Sequence, residues 1–403
     1  MIRFRIHLLL LLFSATFLPA TNAQDKKVKI SKSQFRTAQE KGLDEAWGHI
    51  REGDRFFKEG VGTYPDAREH YLAAYEYNNA DAALNYKIGV CYLFADQKYK
   101  AIDYFRKAYV ADNHVSNDIQ YMLGRSYHMA QEFDKAIEHY KQFKNTLSPR
   151  ESNVVGPRID KLMAECRNGQ ELVSRPVRVI VNNLGDKVNS TYDDYYSIFG
   201  PEDSVMYLTS RRQHSEKSRR YEIDNKFFED VYYSLKKDGE WSKAVDIGKP
   251  ISDLKSNTAA VALSPDGQSL YLYRGKKGGG NLYVSRMKNG KWASPKSLSR
   301  FNSKYRETSM CLNSSGDTIY FISSDEKESL GGKDIFFSVK STTGRWGKPE
   351  NMGRNINTAY DEEGVSISPD GQTLYFSSKG NNTMGGFDVF KCEKDDLNRH
   401  LFA

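Results

Sequence analysis

The chain has 403 residues, with 59 Lys and Arg against 52 Asp and Glu, a formal charge of +7. That length accommodates two or three domains, and the basic excess is spread among acids rather than gathered in one stripe, so it does not by itself point to nucleic-acid or membrane contact. Four cysteines, Cys91, Cys166, Cys311 and Cys392, include no CxxC pair, so a zinc site or disulfide framework is not expected and buried free thiols are.

Residues 1–23 read as an export signal. Arg3 and Arg5 make a basic start, Leu8 to Leu18 is apolar, Pro19 breaks the run, and Ala23 supplies the small residue before the cut. The apolar run is too short to span a bilayer. No Cys follows Ala23, so a lipid anchor at the new N-terminus is not expected, and no later run is long enough for a transmembrane segment. Residues 24–44 are Lys-rich without a clear period and are expected to be a flexible leader.

Residues 45–170 carry a helical period. Ile88, Gly89 and Tyr92 fall on one helix, and Ala101, Phe105 and Ala108 on the next. A second copy has Leu123, Gly124 and Tyr127, then Ala136, Tyr140 and Phe143. An earlier one has Gly53 and Phe56, then Ala67, Tyr71 and Ala74. The three glycines stand 36 and 35 residues apart. Small residues let antiparallel helices approach, and rings fill the space beside them. This pattern resembles the tetratricopeptide repeat. Val154 to Cys166 reads as a further amphipathic helix capping the stack. The resemblance implies a curved stack with a groove that holds a peptide or partner helix, with Asn85 and Gln120 as candidate partner-binding positions.

Residues 171–391 repeat on a strand period. Aligning the tyrosine at the centre of each second strand gives Tyr207, Tyr271, Tyr320 and Tyr375, spaced 64, 49 and 55 residues apart. Each copy has an apolar strand, a turn such as Pro265-Asp266-Gly267 or Pro369-Asp370-Gly371, a second strand, and a third strand entered through Asp230, Asn281, Asp334 or Asp388. Proline presets the turn, Asp bonds its own backbone, and Gly accepts positive φ. Three copies continue into Gly-x-Trp at Trp241, Trp292 and Trp346, then a fourth strand, and the regular recurrence of the Trp points to packing between blades. Four short antiparallel strands make one propeller blade. This half resembles the WD-like repeat of TolB-type β-propellers, most closely at Ser368–Gly371 and Leu374–Ser378. The expected fold class is thus α plus all-β: a tetratricopeptide α-solenoid followed by a four-bladed TolB-like propeller. Copy one carries an insertion, Arg211 to Phe228, expected to be a solvated loop. Copy four lacks its fourth strand. The run 176–185 has that strand's character and could complete the last blade; the alternative is an incomplete ring. Residues 392–403 are a tail that does not continue the repeat.

The order of signal, tetratricopeptide stack and propeller resembles envelope proteins of Bacteroidota, of the OmpA-family group linked to type IX secretion and gliding. The phrases LGDKVNSTYDDYY at 184–196 and MGRNINTAYDEEG at 352–364 carry it. Members often continue into a wall-binding OmpA-like domain, which this sequence lacks. The resemblance implies a periplasmic scaffold or adaptor, peripheral to the outer membrane, with envelope or secretion-system proteins as partners. No GxSxG, HExxH, phosphate-loop or GxGxxG signature occurs in a suitable context, so no enzyme, cofactor or metal is expected. Asp193, Asp194, Asp361 and Glu362 precede first strands and are candidate partner-binding residues. Copies two and three lack the acid pair, so a symmetric metal ring is not expected. Asp230, Asp334 and Asp388 are expected to bond backbone amides. The alternative function is a glycan- or peptidoglycan-fragment-binding propeller.

Overall fold

A computed structural model describes residues 28–394, apart from 39, 40, 179, 217, 222, 223, 254, 277 and 278. The expected signal segment and most of the tail lie outside the described residues. The helical unit comprises α1 (Lys32–Phe35), α2 (Leu43–Glu59), α3 (Tyr64–Tyr75), α4 (Ala82–Phe94), α5 (Ala101–Ala111), α6 (Ile119–Met129), α7 (Phe133–Thr146) and α8 (Pro149–Ser174). In each of three helical pairs, a ring of the second helix lies over the glycine of the first: Tyr71 over Gly53, Phe105 over Gly89 and Tyr140 over Gly124. Those rings are fully buried in one continuous core. Ser148 opens α8 with a capping box closed by Glu151, and α8 runs to the domain boundary.

The leader is a correction. Phe35 is fully buried and Ile30 nearly so. The Asn78 carboxamide donates to the Phe35 carbonyl at 2.8 Å, and Phe35 lies 5.3 Å from the Tyr77 ring. Residues 28–38 therefore belong to the first repeat's core, because an aromatic ring at 35 contributes more by burial than the surrounding lysines lose.

Four sheets follow. The first has β1 (Asp194–Phe199), β2 (Val205–Ser210), β3 (Asp230–Lys237), β4 (Glu240–Trp241) and β5 (Val245–Asp246). The second has β6 (Asn257–Leu263), β7 (Ser269–Lys276), β8 (Gly279–Lys288), β9 (Lys291–Trp292) and β10 (Lys296–Ser297). The third has β11 (Glu307–Leu312), β12 (Thr318–Ser323), β13 (Asp334–Val339) and β14 (Glu350–Asn351). The fourth has β15 (Glu362–Ile367), β16 (Thr373–Ser378) and β17 (Asp388–Glu393). All pairings are antiparallel. Second and third strands meet in one register, with Leu208 opposite Tyr232, Leu272 opposite Tyr283, Phe321 opposite Phe336 and Phe376 opposite Phe390. This is a four-bladed propeller arrangement whose apolar cores lie between successive blades. Trp292 and Trp346 pack into those inter-blade clusters, whereas Trp241 packs with Met206, Leu208 and Tyr232 of its own blade; Trp292 meets Tyr207 of the preceding blade edge-on at 6.1 Å. Among the described residues, the run 176–185 forms no strand and the outer edge of β17 carries none.

The insertion also departs from expectation. It folds back: buried Arg211 pairs with Asp224 and donates to the Phe227 carbonyl at 2.7 Å. Asp224 then meets Gly62 at the α2–α3 turn, where a Cβ would stand 2.9 Å from the Asp224 carbonyl carbon. The far end of the helical unit touches the last blade. His128 Nε2 lies 2.7 Å from the Met384 carbonyl oxygen, Asn168 donates to the Thr383 carbonyl at 3.0 Å, and Lys161 sits over the Tyr360 ring at 4.5 Å.

Candidate partner-binding groove

The first helices of the three pairs, α2, α4 and α6, line a cavity of about 1480 Å³. That exceeds the roughly 300–1,000 Å³ typical of small-molecule pockets and suits an extended polypeptide. Its wall alternates apolar and charged groups because each helix turns two faces to it. Trp47, Ile50 and Phe57 come from α2, Tyr86, Val90 and Phe94 from α4.

The groove is electropositive, for a structural reason. Seven Lys and Arg line it against three carboxylates. Two of the carboxylates are consumed locally. Asp54 accepts from the Tyr71 hydroxyl at 2.7 Å and from Lys87 Nζ at 2.5 Å, while the Lys87 ammonium also faces the Phe57 ring at 5.4 Å. Asp118 accepts from the Tyr86 hydroxyl at 2.7 Å. The third, Glu151, is held in the α8 cap. Lys29, Arg51, Lys58, Lys98 and Arg158, by contrast, make no ion pair among the described residues. A concave wall with unpaired cations and low-dielectric rings focuses positive potential on whatever enters.

The six sequence candidates separate. Gln120 lines the groove and its side-chain oxygen lies 2.6 Å from His139 Nδ1. Asn85 does not line it. It is fully buried and its amide donates to the carbonyls of Asn79 and Asp81 at 2.8 and 2.9 Å, bracing the turn before α4; helical period placed it on a polar face, but its neighbours are the helix's own entry loop. Asp194 and Glu362 are internal clamps rather than contact residues. Asp194 accepts from the Ser190 backbone and hydroxyl at 2.6 and 2.8 Å and pairs with Arg212 at 3.1 Å. Burial pushes its carboxyl up, but the bonds from Ser210 and Ser190 and the Arg212 charge outweigh that and hold it low. Glu362 is fully buried, accepts from Thr358 Oγ1 and Ser378 Oγ at 2.7 Å each, and burial raises its pKa. Glu307 repeats the device with Ser303 at 2.7 Å and Ser323 at 3.2 Å. The sequence signal was the Ser or Thr four residues ahead of the acid, in three copies. Asp193 and Asp361 reach solvent, each already paired, with Lys226 and Lys379 at 2.7 Å.

Asp334 and Asp388 bond backbone amides, accepting from Leu330 at 2.7 Å and Met384 at 2.6 Å. Asp230 accepts from its neighbour Val231, at 2.9 Å. Among the described residues its second oxygen has no hydrogen-bond partner, with His214 Nε2 3.6 Å away, and burial pushes the carboxyl up to about 7. Among the described residues, no three His, Cys, Asp or Glu stand close enough together to hold a metal ion, and no helix is long and apolar enough to cross a membrane.

A family model described as tetratricopeptide repeat matches residues 118–146, the α6–α7 pair. No curated protein matches the chain in sequence. Among solved structures the chain is similar to a TolB-type protein of Agrobacterium tumefaciens (15% identity over 49% of this chain and 60% of that one, TM-score 0.33). It is also similar to TolB of Acinetobacter baumannii (16% identity, 49% and 40%, TM-score 0.33) and to a gluconolactonase of Xanthomonas campestris (17% identity, 45% and 52%, TM-score 0.29). The matched part is about half of this chain and 40–60% of theirs. The repeated sheets and their shared register, not these likenesses, define the propeller.

Proposed function

We propose that the protein is a non-enzymatic scaffold of the cell envelope that holds an acidic, extended segment of a partner protein in the groove of its helical unit. The observation that carries this is the groove itself: polypeptide-sized, ring-lined, and positive because seven cations line it against three carboxylates and five of those cations make no ion pair among the described residues. Periplasmic placement and membership of a secretion- or gliding-associated complex rest on the signal-like start and on the resemblance at 184–196 and 352–364. The non-enzymatic reading rests on the absence of catalytic signatures in the sequence. Trp292 and Trp346 are engaged between blades and Trp241 against the core of its own blade, which favours protein binding over stacking of sugars.

The test uses the full chain and a double variant, R51E/R158E. Fluorescence anisotropy against Glu-rich and Lys-rich peptides of equal length reads the preference, in low and moderate salt. The expected result is binding of the acidic peptide alone, weakened tenfold or more by the variant and by salt. Equal binding of both peptides, or an unchanged affinity in the variant, refutes the assignment. Capture from detergent-solubilised envelopes by the wild type but not the variant then identifies the partner.

A further inference from the structure

Among the described residues, the last blade presents an edge that the other three have covered. In each third strand the residue after the entry Asp or Asn is Val231, Leu282, Ile335 or Val389. The first three are fully buried, whereas Val389 is 77% exposed. In the first three blades the chain returns over this residue. Ile247, Leu298 and Met352 each donate a backbone N–H to its carbonyl, at 3.0 Å in every case. In blades two and three an asparagine in the following turn then clasps the same residue. Asn302 meets the N–H and C=O of Leu282 at 2.8 Å each, and Asn357 those of Ile335 at 2.8 and 2.9 Å.

The missing piece exists elsewhere in the chain, already folded. In Asn183–Asn189, Gly185 N–H and the Asn189 amide donate to Asn183 Oδ1 at 2.7 and 2.8 Å, and Val188 and Asn189 donate to the Gly185 carbonyl at 3.2 and 2.8 Å. The third blade's turn makes the same four bonds: Gly353 and Asn357 to Asn351 Oδ1 at 2.8 Å each, Ile356 and Asn357 to the Gly353 carbonyl at 3.2 and 2.8 Å. What the first turn lacks is the third strand that Asn357 grips. It is also seated where such a turn sits. Val188 packs with Met206 and Leu208 of blade one as Ile356 packs with Leu374 and Phe376 of blade four. Ala244 N–H donates to the Lys187 carbonyl at 2.7 Å. Just ahead of it, Ile180 and Val181 are 88% and 89% exposed, two β-branched residues suited to a strand and left in water.

We infer that Ile180–Leu184 docks along the free edge of β17 as the fourth strand of the last blade, joining blade four to blade one and closing the ring within one molecule. The chain's own segment is the occupant because of where it starts. It follows α8, which is fastened to blade four through Asn168 and Thr383, and it ends on blade one. The segment therefore spans the two blades it would join, and its effective concentration at the edge exceeds that of any second copy. Transposing the third blade's register, in which Phe336 faces Asn351, sets Phe390 opposite Asn183 and Leu184 opposite Val389. Val181 then faces Cys392, and Ile180 faces Glu393 on the other side of the sheet. Asn189 takes the clasp on Val389.

The native thiol of Cys392 makes this testable with one substitution. Val181 and Cys392 form a non-hydrogen-bonded pair in this register, whose Cα separation of about 4.5 Å lies within the disulfide range. The full-length V181C variant is oxidised mildly beside I180C, whose introduced side chain points to the opposite face. Expected is a disulfide to Cys392 in monomeric V181C, found by peptide mapping, and at least tenfold less in I180C. Equal yields in both variants, or none in either, overturn the register. Disulfide-linked dimers place a second copy on the edge and overturn the intramolecular closure. Hydrogen exchange on the unsubstituted chain gives an independent reading: the amides of 180–184 and of Val389 exchange at least tenfold slower than in an unstructured peptide, and N189A removes that protection at Val389. Exchange at unstructured rates throughout overturns the proposal.

Discussion

Replacing a mid-helix glycine by alanine ordinarily stabilises a helix by about 1 kcal/mol, and two glycines of this protein should respond with opposite signs. A Cβ built on Gly124 falls 2.6 Å from Cδ1 and 2.7 Å from Cε1 of Tyr140, about 1 Å inside normal carbon–carbon contact. The ring cannot retreat. Tyr140 is fully buried, and its hydroxyl lies 3.3 Å from His128 Nδ1. Overpacking a rigid core costs about 1–3 kcal/mol, and an overlap this deep against a fixed ring belongs at the upper end. Subtracting the helix-propensity gain leaves G124A less stable by about 2 kcal/mol. Gly48 in α2 has nothing within 4 Å of its Cβ position, so G48A should gain about 1 kcal/mol. The assay is urea unfolding of the full chain followed by helical circular dichroism. With a slope of roughly 2 kcal/mol per M, the two midpoints should differ by about 1.5 M. Equal midpoints, or a G124A midpoint above the wild type, would refute the claim that ring-on-glycine contact sets the spacing of the helical pairs.

Two further predictions concern pH. Asp230 titrates near 7 when folded, chiefly through burial, against 3.8 when unfolded; the folded chain therefore binds more protons between those values, and stability from this group is present below pH 4 and lost as pH rises to 7. D230N should abolish that slope and stabilise the protein at pH 8 by up to roughly 4 kcal/mol, and a variant less stable than wild type at pH 8 would show the ionised carboxylate to be paired after all. His128 has the opposite sign: burial depresses its pKa, against the pull of the Met384 carbonyl and Glu165. Its contribution is full above pH 6.5 and is lost as pH falls through the folded value, so acidification should loosen the contact between α6 and the Thr383–Gly386 loop. Hydrogen exchange in that loop, corrected for intrinsic rate, should speed up at pH 5 in the wild type and not in H128Q. The same acceleration in both would clear His128 of the role.

What could be read from the sequence followed the strength of the physical constraint. Ring and glycine recur at fixed spacing because two helices can approach only where a side chain is missing, so the pairs at 53 and 71, 89 and 105, and 124 and 140 announced both helices and their contact. The Pro-Asp-Gly turns worked likewise: Gly267 and Gly371 have φ of +69° and +71°. The same turn in copy one was harder to recognise because Glu202 and Asp203 hold positive φ there, at 56° and 52°, without a glycine to signal it. Polar residues were less legible, since their type does not say whether water or the protein satisfies them. Asn85 bonds its own entry loop, and Asp194 and Glu362 bond hydroxyls four residues upstream.

The groove shows why net charge was a poor guide to function. The chain's excess of seven positive charges is unremarkable when spread over the whole surface, and composition alone pointed nowhere. Folding sorts it. Asp54, Asp118 and Glu151 are taken up by Lys87, Tyr86 and the α8 cap, each a bond made only once helices from different repeats are side by side or a helix has begun. Arg51, Lys58 and Arg158 have no ion-pair partner among the described residues. The positive potential of the groove is thus a property of which charged groups the fold gathers there, seven cations against three carboxylates, and charge reversal at Arg51 and Arg158 should remove it without disturbing any bond that holds the helices together.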